Sequence, residues 1–306
     1  MLIVAGKGGV GKTTVTATIA AAAARTGLRV LIVEVEGKSG LATCFGRPPL
    51  EYEESELAPG IRARTLTPER ALVEYLEDRG LQRISRRLVR SGAVDIVATA
   101  VPGMKDILVL GKVKQLEQGR NADLIVVDAP AAGHAITFLM SPRGLLDAVR
   151  VGPVRTQAED VIGMLSDPTR CQVVLVTLPE ELPANELVDT AFALEDRVGV
   201  ALAPVVVNGC YEERRLPRDA AAVHAAAVGT GEAVPNREVE ALVAAAQLHS
   251  VLVVRQRDVA DGLARRLPLP QLRLPFVFAG DIGPREIEGL ATAFTAAVTA
   301  LPAVET

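Results

Sequence analysis

Tryptophan is absent from this sequence, and Tyr and Phe bring the aromatic share to only 3%. A core without large rings must be assembled from Val, Leu, Ile and Ala. These and the other apolar residues supply 49% of the 306 positions. Such a core suits a parallel sheet buried between helices, whose strands are continuous aliphatic runs. Cysteine is scarce as well. Cys44, Cys171 and Cys210 lie far apart and none forms a C-x-x-C pair, which argues against a disulfide framework or a zinc site and leaves reduced structural thiols. A basic excess is also missing. With 33 basic and 37 acidic residues the net charge is −4, so nothing favours a nucleic-acid partner. No apolar run reaches the roughly 18 residues that a membrane span needs. Met1 leads straight into Leu2-Ile3-Val4-Ala5 with no leader before it, so a cytoplasmic protein without stable membrane insertion is expected.

What is present is a series of short aliphatic runs. Those at 2–5, 30–35, 124–127, 173–176, 204–207 and 251–254, with a weaker one at 274–278, read as buried strands. Helical patterns at 10–25, 185–196, 218–227, 237–248 and 284–301 separate most of them. Strands alternating with helices imply βαβ crossovers, hence an α/β fold with a mainly parallel sheet and helices on both faces. Two stretches interrupt the alternation. The first, about 47–118, opens with a loop rich in Pro and Glu and continues with charged amphipathic helices. The second, about 138–168, carries Leu145, Leu146, Val149, Val161, Ile162, Met164 and Leu165 at helical spacing. Flanking one strand, they are expected to form a helical insertion subdomain within a single domain spanning 1–306.

The chemistry concentrates at the first run. Gly6-Lys7-Gly8-Gly9-Val10-Gly11-Lys12-Thr13-Thr14 fits G-x-x-x-x-G-K-[ST] between a predicted strand and a predicted helix. Glycines let successive backbone N–H groups turn inward, and the helix aims its free N–H groups and positive end at phosphate. Lys12 supplies a point charge and Thr13 a hydroxyl for Mg²⁺. Gly8, Gly9, Val10, Gly11, Lys12, Thr13 and Thr14 are therefore expected to bind ATP or ADP with Mg²⁺. Further on, Val126-Val127-Asp128 ends a strand. An acidic residue there suits a Walker B role, holding Mg²⁺ directly or through water; a helix N-cap is the plainer use of such an Asp.

The additional lysine, Lys7, makes this a deviant Walker A loop. The octapeptide from Lys7 to Thr14 resembles that of the dimeric ATPases that include chromosome-partitioning and division-site proteins, nitrogenase iron protein and the arsenite-pump ATPases. The segment Asp128-Ala129-Pro130-Ala131-Ala132-Gly133-His134 narrows the likeness. It resembles the switch II of the arsenite-pump/tail-anchored-protein-targeting (ArsA/GET) P-loop ATPases, usually Asp-Thr-Ala-Pro-Thr-Gly-His. The resemblance implies the P-loop NTPase fold and ATP hydrolysis. It implies a homodimer, or a heterodimer with a paralogous ATPase, in which Lys7 reaches the partner's nucleotide as a cation supplied in trans. Asp128, Pro130, Gly133 and His134 would form switch II. Asn208, at the end of a strand, matches an Asn that hydrogen-bonds adenine, and Pro275 and Phe276 would pack on the base.

Departures matter as much. The family's switch I Asp, which positions the attacking water, falls on Glu36 within Glu34-Val35-Glu36-Gly37-Lys38-Ser39-Gly40. One added methylene displaces a carboxylate whose placement matters at the half-ångström scale. Slow hydrolysis with Glu36 as the working residue is one reading. The other is a weakly catalytic or non-catalytic nucleotide-sensing subunit paired with a paralogous ATPase. The zinc-binding C-x-x-C that holds the targeting homodimers of the family together is absent, and so are the clustered cysteines of the arsenite pump's metalloid site, which argues against metalloid export. Met104, Met140 and Met164, in or beside the insertions, leave open a groove for a hydrophobic helical client, against the plainer reading that they form the insertion's own core. The C-terminal helix carries Glu286 and Glu288 against Arg285, a poor membrane anchor.

Overall fold

All but one of the aliphatic runs become strands of one sheet, because a β-branched run with no polar alternation is stable only where both faces are covered. The computed structural model describes residues 1–35, 40–78, 80–92, 94, 103–228 and 234–302; at 131–134 and 227–228 the description is of the backbone alone. The strands are β1 (Leu2–Gly6), β2 (Val30–Val35), β3 (Ser55–Ala58), β4 (Ile61–Leu66), β5 (Leu124–Ala131), β6 (Gln172–Thr177), β7 (Ala201–Leu202), β8 (Val205–Cys210) and β9 (Gln271–Pro275). Their order is β3-β4-β2-β5-β1-β6-β8-β9, with β7 beside β6. Every pairing is parallel except β3 with β4. This is the mainly parallel α/β architecture expected of a P-loop NTPase.

Side chains of alternating positions feed two cores. Val4, Ile32, Val126, Val174 and Val206 face α1 (Lys12–Arg25) and α11 (Pro284–Thr299). Ile3, Val33, Val127, Val173 and Val207 face the other side. There they meet α5 (Met104–Gln118), α6 (Ala132–Ala148), α7 (Pro153–Leu165) and α8 (Glu181–Ala193). Ala17, Ala20 and Ala21 let α1 lie close to the sheet, and all three are buried.

Three expectations need correction. The run at 251–254 is not a strand but the middle of α10 (Asn236–Arg266). No Pro or Gly interrupts that chain before Gly262, and Val251 and Val254 are 63% and 54% exposed. They therefore sit on a helix surface rather than in a core. The final strand lies earlier than 274–278, at Gln271–Pro275. The stretch 47–118 is not only loop and helix, since β3 and β4 extend the main sheet before α3 (Pro68–Asp78) and α4 (Gln82–Ser91). In β4, Ile-Arg-Ala-Arg-Thr-Leu alternates apolar and polar residues, a strand signal that two arginines disguise. Arg64 is nevertheless buried, its guanidinium 4.5 Å from the Tyr52 ring centroid. Beyond these strands, α5 packs against α3, α6 and α7. Met164 is fully buried in the main core, with Met104 and Met140 packed on it.

Candidate nucleotide site

In a parallel α/β sheet, ligands collect at the carboxyl ends of the strands, and β1, the strand between β5 and β6, ends there in Gly6. A Cβ on Gly6 would stand 2.4 Å from the carbonyl oxygen of Val176, so only glycine lets the loop leave the sheet at this point. The loop closes at Gly11, with φ 86°. A Cβ here would meet Nδ2 of Asn208 at 2.3 Å. Between them, a Cβ on Gly8 or Gly9 would find nothing within 4 Å, so the crown of the loop borders open space. Val10 is buried beneath it. Thr14 sits on the first turn of α1, where its carbonyl accepts a hydrogen bond from Thr18 at 2.8 Å.

Lys12 opens α1, and its ammonium donates back to the carbonyl of Lys7 at 3.2 Å. Burial pulls its pKa below the ordinary lysine value, with Asp128 opposing the change. Thr13 follows, and its hydroxyl donates to Oδ2 of Asp128 at 2.8 Å. Thr16, one turn on, faces Oδ1 of the same carboxylate at 3.4 Å. Asp128 on β5 is buried. Burial raises its pKa above the usual carboxylate value; the Thr13 hydroxyl and Lys12 work against that rise, and Glu34 adds to it. A hydroxyl and a carboxylate at one point are the hard oxygen donors that Mg²⁺ takes, and such sites usually complete the cation's shell with phosphate oxygens and water. Among the described residues no group of three or more His, Cys, Asp or Glu could hold a metal ion. The residues present thus fit a cation that arrives with a nucleotide.

Lys7 takes another direction. Its ammonium lies 2.6 Å from Oε1 of Glu186 on α8, an ion pair in which both side chains are about two-fifths exposed. The loop's second cation is thus held within the chain, at the rim of the site.

Asn208 on β8 donates from Nδ2 to the carbonyl of Val10 at 2.9 Å, tying β8 to the phosphate loop. Pro275 ends β9 opposite Cys210. The backbone N–H of Phe276 donates to the carbonyl of Cys210 at 2.8 Å. The Phe276 ring joins Tyr211 and Phe278, with centroids 5.1 and 4.8 Å away. Asn208, Pro275 and Phe276 therefore gather on one side of the loop, beside an aromatic surface. Pro130 lies half-buried near the end of β5. Gly133 and His134 fall in the first turn of α6, and the His134 side chain lies outside the described residues, as does Glu36.

Sequence reasoning missed several groups. Thr16 could have been found from its spacing, one turn past Thr13 on the same helix face. Glu34 and Glu186 have no motif to betray them. Gln256 was hidden by the misread run before it. Its amide accepts from the N–H of Tyr211 at 2.7 Å and donates to the carbonyl of Gly209 at 3.2 Å, bracing the loop after Asn208.

Comparison with other proteins shows the family. Residues 1–151 match the family model described as anion-transporting ATPase (ArsA_ATPase). Over 304 residues the chain is 33% identical to the ATPase BagA of Mycobacterium tuberculosis, covering 92% of this chain and 88% of that protein. It is 27% identical over 224 residues to a putative arsenical pump-driving ATPase of Halobacterium salinarum, covering 68% of this chain and 35% of that one. It is 28% identical over 173 residues to the ATPase get3 of Schizosaccharomyces japonicus, covering 53% and 52%.

Proposed function

This chain belongs to the ArsA/GET family of P-loop ATPases, and from that premise we propose that it binds Mg²⁺-ATP at the end of β1 and hydrolyses it slowly as a dimer. The observation that carries the proposal is the convergence of Lys12, Thr13 and Asp128 at the head of α1, where the Thr13 hydroxyl donates to Asp128 and the charge of Lys12 acts on the same carboxylate. The backbone from Gly8 to Thr14 cradles the phosphates. Lys12 turns from the Lys7 carbonyl toward the terminal phosphates. Thr13 and Asp128 would hold Mg²⁺, directly or through its waters. When bound, that cation neutralises charge building on the transferred phosphoryl group. Asn208, Pro275 and Phe276 flank the base. Glu36 orients the attacking water, its extra methylene lowering the rate. Asp128, Pro130, Gly133 and His134 pass the state of the site into α6, and so to the helical subdomain. Lys7 exchanges Glu186 for the nucleotide of a second subunit, in a homodimer or in a heterodimer with a paralogous ATPase. A hydrophobic helical client is a further role for the helical subdomain. No described helix is long and apolar enough to cross a membrane.

The test is phosphate release by the purified chain with Mg²⁺-ATP. The wild type is expected to turn over and Lys12→Ala to be silent. Equal rates for the two would sink the enzyme reading for the isolated chain. Glu36→Asp separates the catalytic reading from a nucleotide-sensing one: a fall in rate marks Glu36 as the working carboxylate, and a rise marks a degraded one.

A further inference from the structure

Between Asp78 and Asp95 the sequence holds no acidic residue, while arginines stand at positions 83, 86, 87 and 90 of α4. A chain of net charge −4 thus gathers four like charges on one ten-residue helix. At 3.6 residues per turn these positions fall within about 100° of arc. Ser85 lies on the far side of the helix from them. It is buried, and its hydroxyl donates to Oε1 of Glu77 on α3 at 3.1 Å. The arginine ridge is therefore turned away from α3, the helix on which α4 packs. All four arginines are exposed. Ile84 and Val89 lie to either side of the ridge and are 48% and 54% exposed.

Helix stability does not account for this ridge. Residues three and four apart on a helix are neighbours, and like charges at that spacing destabilise it. The pairs 83–86, 83–87, 86–90 and 87–90 all have that spacing. The acids of α3 are engaged elsewhere: Glu69 pairs with Lys105, Glu74 with Lys112, and Asp78 accepts from the amide of Gln115. Among the described residues none of the four guanidinium groups enters an ion pair. Solubility would be served as well by charges of mixed sign. A ridge of one sign between exposed aliphatic side chains is instead the pattern of a basic helix that lies on a membrane surface. We propose that α4 is a peripheral docking surface for an anionic phospholipid bilayer. Its guanidinium groups take phosphate oxygens in bidentate pairs, while Ile84 and Val89 enter the headgroup boundary beside them. A projecting ridge suits a fluid headgroup layer, which closes around it. A nucleic acid would call for aromatic rings between the cations, and aliphatic side chains stand there. Four charges give a reversible attachment, with no part of α4 crossing the bilayer.

The probe is co-flotation of the full chain with vesicles of phosphatidylcholine alone, or mixed equally with phosphatidylglycerol. Only the mixed vesicles should carry the protein, and about 0.5 M NaCl should release it, since salt screens such contacts. Each arginine replaced should lower the partition coefficient about five-fold, the worth of one charge at an anionic surface. The double variant Arg83→Gln/Arg87→Gln should therefore lose about 25-fold. It should melt at or above the wild-type temperature, because like-charge pairs are gone. The chain has no Trp, so Val89→Trp supplies a single reporter that leaves the arginines in place. Its emission should shift to the blue with the mixed vesicles, and that of Val251→Trp should not. Equal recovery with both kinds of vesicle, or none with either, overturns the proposal. Wild-type flotation of the double variant does the same, as does an unmoved spectrum at position 89. A chain that ignores vesicles but is captured by poly-aspartate or poly-uridylate would also overturn it, giving the ridge to an acidic protein or to RNA.

Discussion

At the scale of the residue, the two lysines of the phosphate loop differ in what holds them. Lys12 is partly buried, folded onto the Lys7 carbonyl and drawn toward Asp128. Lys7 is near two-fifths exposed and pairs with Glu186. A surface ion pair of that kind contributes roughly 0–1 kcal/mol, too little to make it the main reason for a lysine in the loop. The two partners therefore separate structure from catalysis. If Lys7 served only the pair, Lys7→Ala and Glu186→Gln would be equivalent. Acting on a partner's nucleotide, Lys7→Ala should lower the rate of phosphate release by about 10³-fold, the lower end for a cation supplied in trans. Glu186→Gln should change it less than about two-fold, since it breaks only an exposed pair. Matched losses in the two variants, measured under saturating Mg²⁺-ATP, would return Lys7 to a structural role.

At the scale of the element, helix and strand are decided by what covers them. The run at 251–254 is β-branched, yet it lies on the open side of a 31-residue helix. Valine is a poorer helix former than alanine by about 0.5 kcal/mol where packing does not intervene. Val251→Ala should therefore raise stability by about that amount in a urea titration; a buried strand would instead lose about 1 kcal/mol or more. Anchoring of α5 supplies a pH-dependent counterpart. Arg170, just before β6, grips Glu117 near the end of α5 through two hydrogen bonds of 2.7 and 3.1 Å. That grip holds the Glu117 carboxyl below its ordinary pKa, although partial burial opposes it. A carboxylate with a depressed folded pKa stabilises the fold above its unfolded value of about 4.3. The contribution disappears as pH falls through the folded value. Glu117→Gln should cost about 0.5–1 kcal/mol at pH 7, and the gap to wild type should close as the pH falls below about 4.

At the scale of the whole molecule, the sheet joins the nucleotide site to the helical layer. β5 carries Asp128 and runs directly into α6, which packs with α5 and α7 over the other face. A change at the phosphate end of β5 thus has a short covalent route to these helices. The three cysteines form no C-x-x-C pair, and the proposed dimer is expected to form through the nucleotide faces. Sedimentation is expected to give the monomer mass with ADP and twice that mass with Mg²⁺-ATP and Glu36→Gln, a variant expected to bind without turning over. A monomer under both conditions would leave the chain in need of a different partner.

The residues from Gly6 to Thr14, the aliphatic run leading to Asp128 and the alternation of aliphatic runs with helices were sufficient to place the family, the parallel sheet and the phosphate loop. Those features are local, because loop geometry and burial on both faces demand particular residue types at fixed spacing. Other features depended on tertiary contacts. Whether a β-branched run lies on a helix surface, as at Val251, turns on what packs against it. Whether Arg64 can be buried in a strand turns on the ring of Tyr52. Glu34 beside Asp128, Glu186 beside Lys7 and Gln256 beside Tyr211 are pairs far apart in sequence, with no spacing to connect them. Sheet register and helix placement brought each pair together, and only that proximity gives these side chains their chemical meaning.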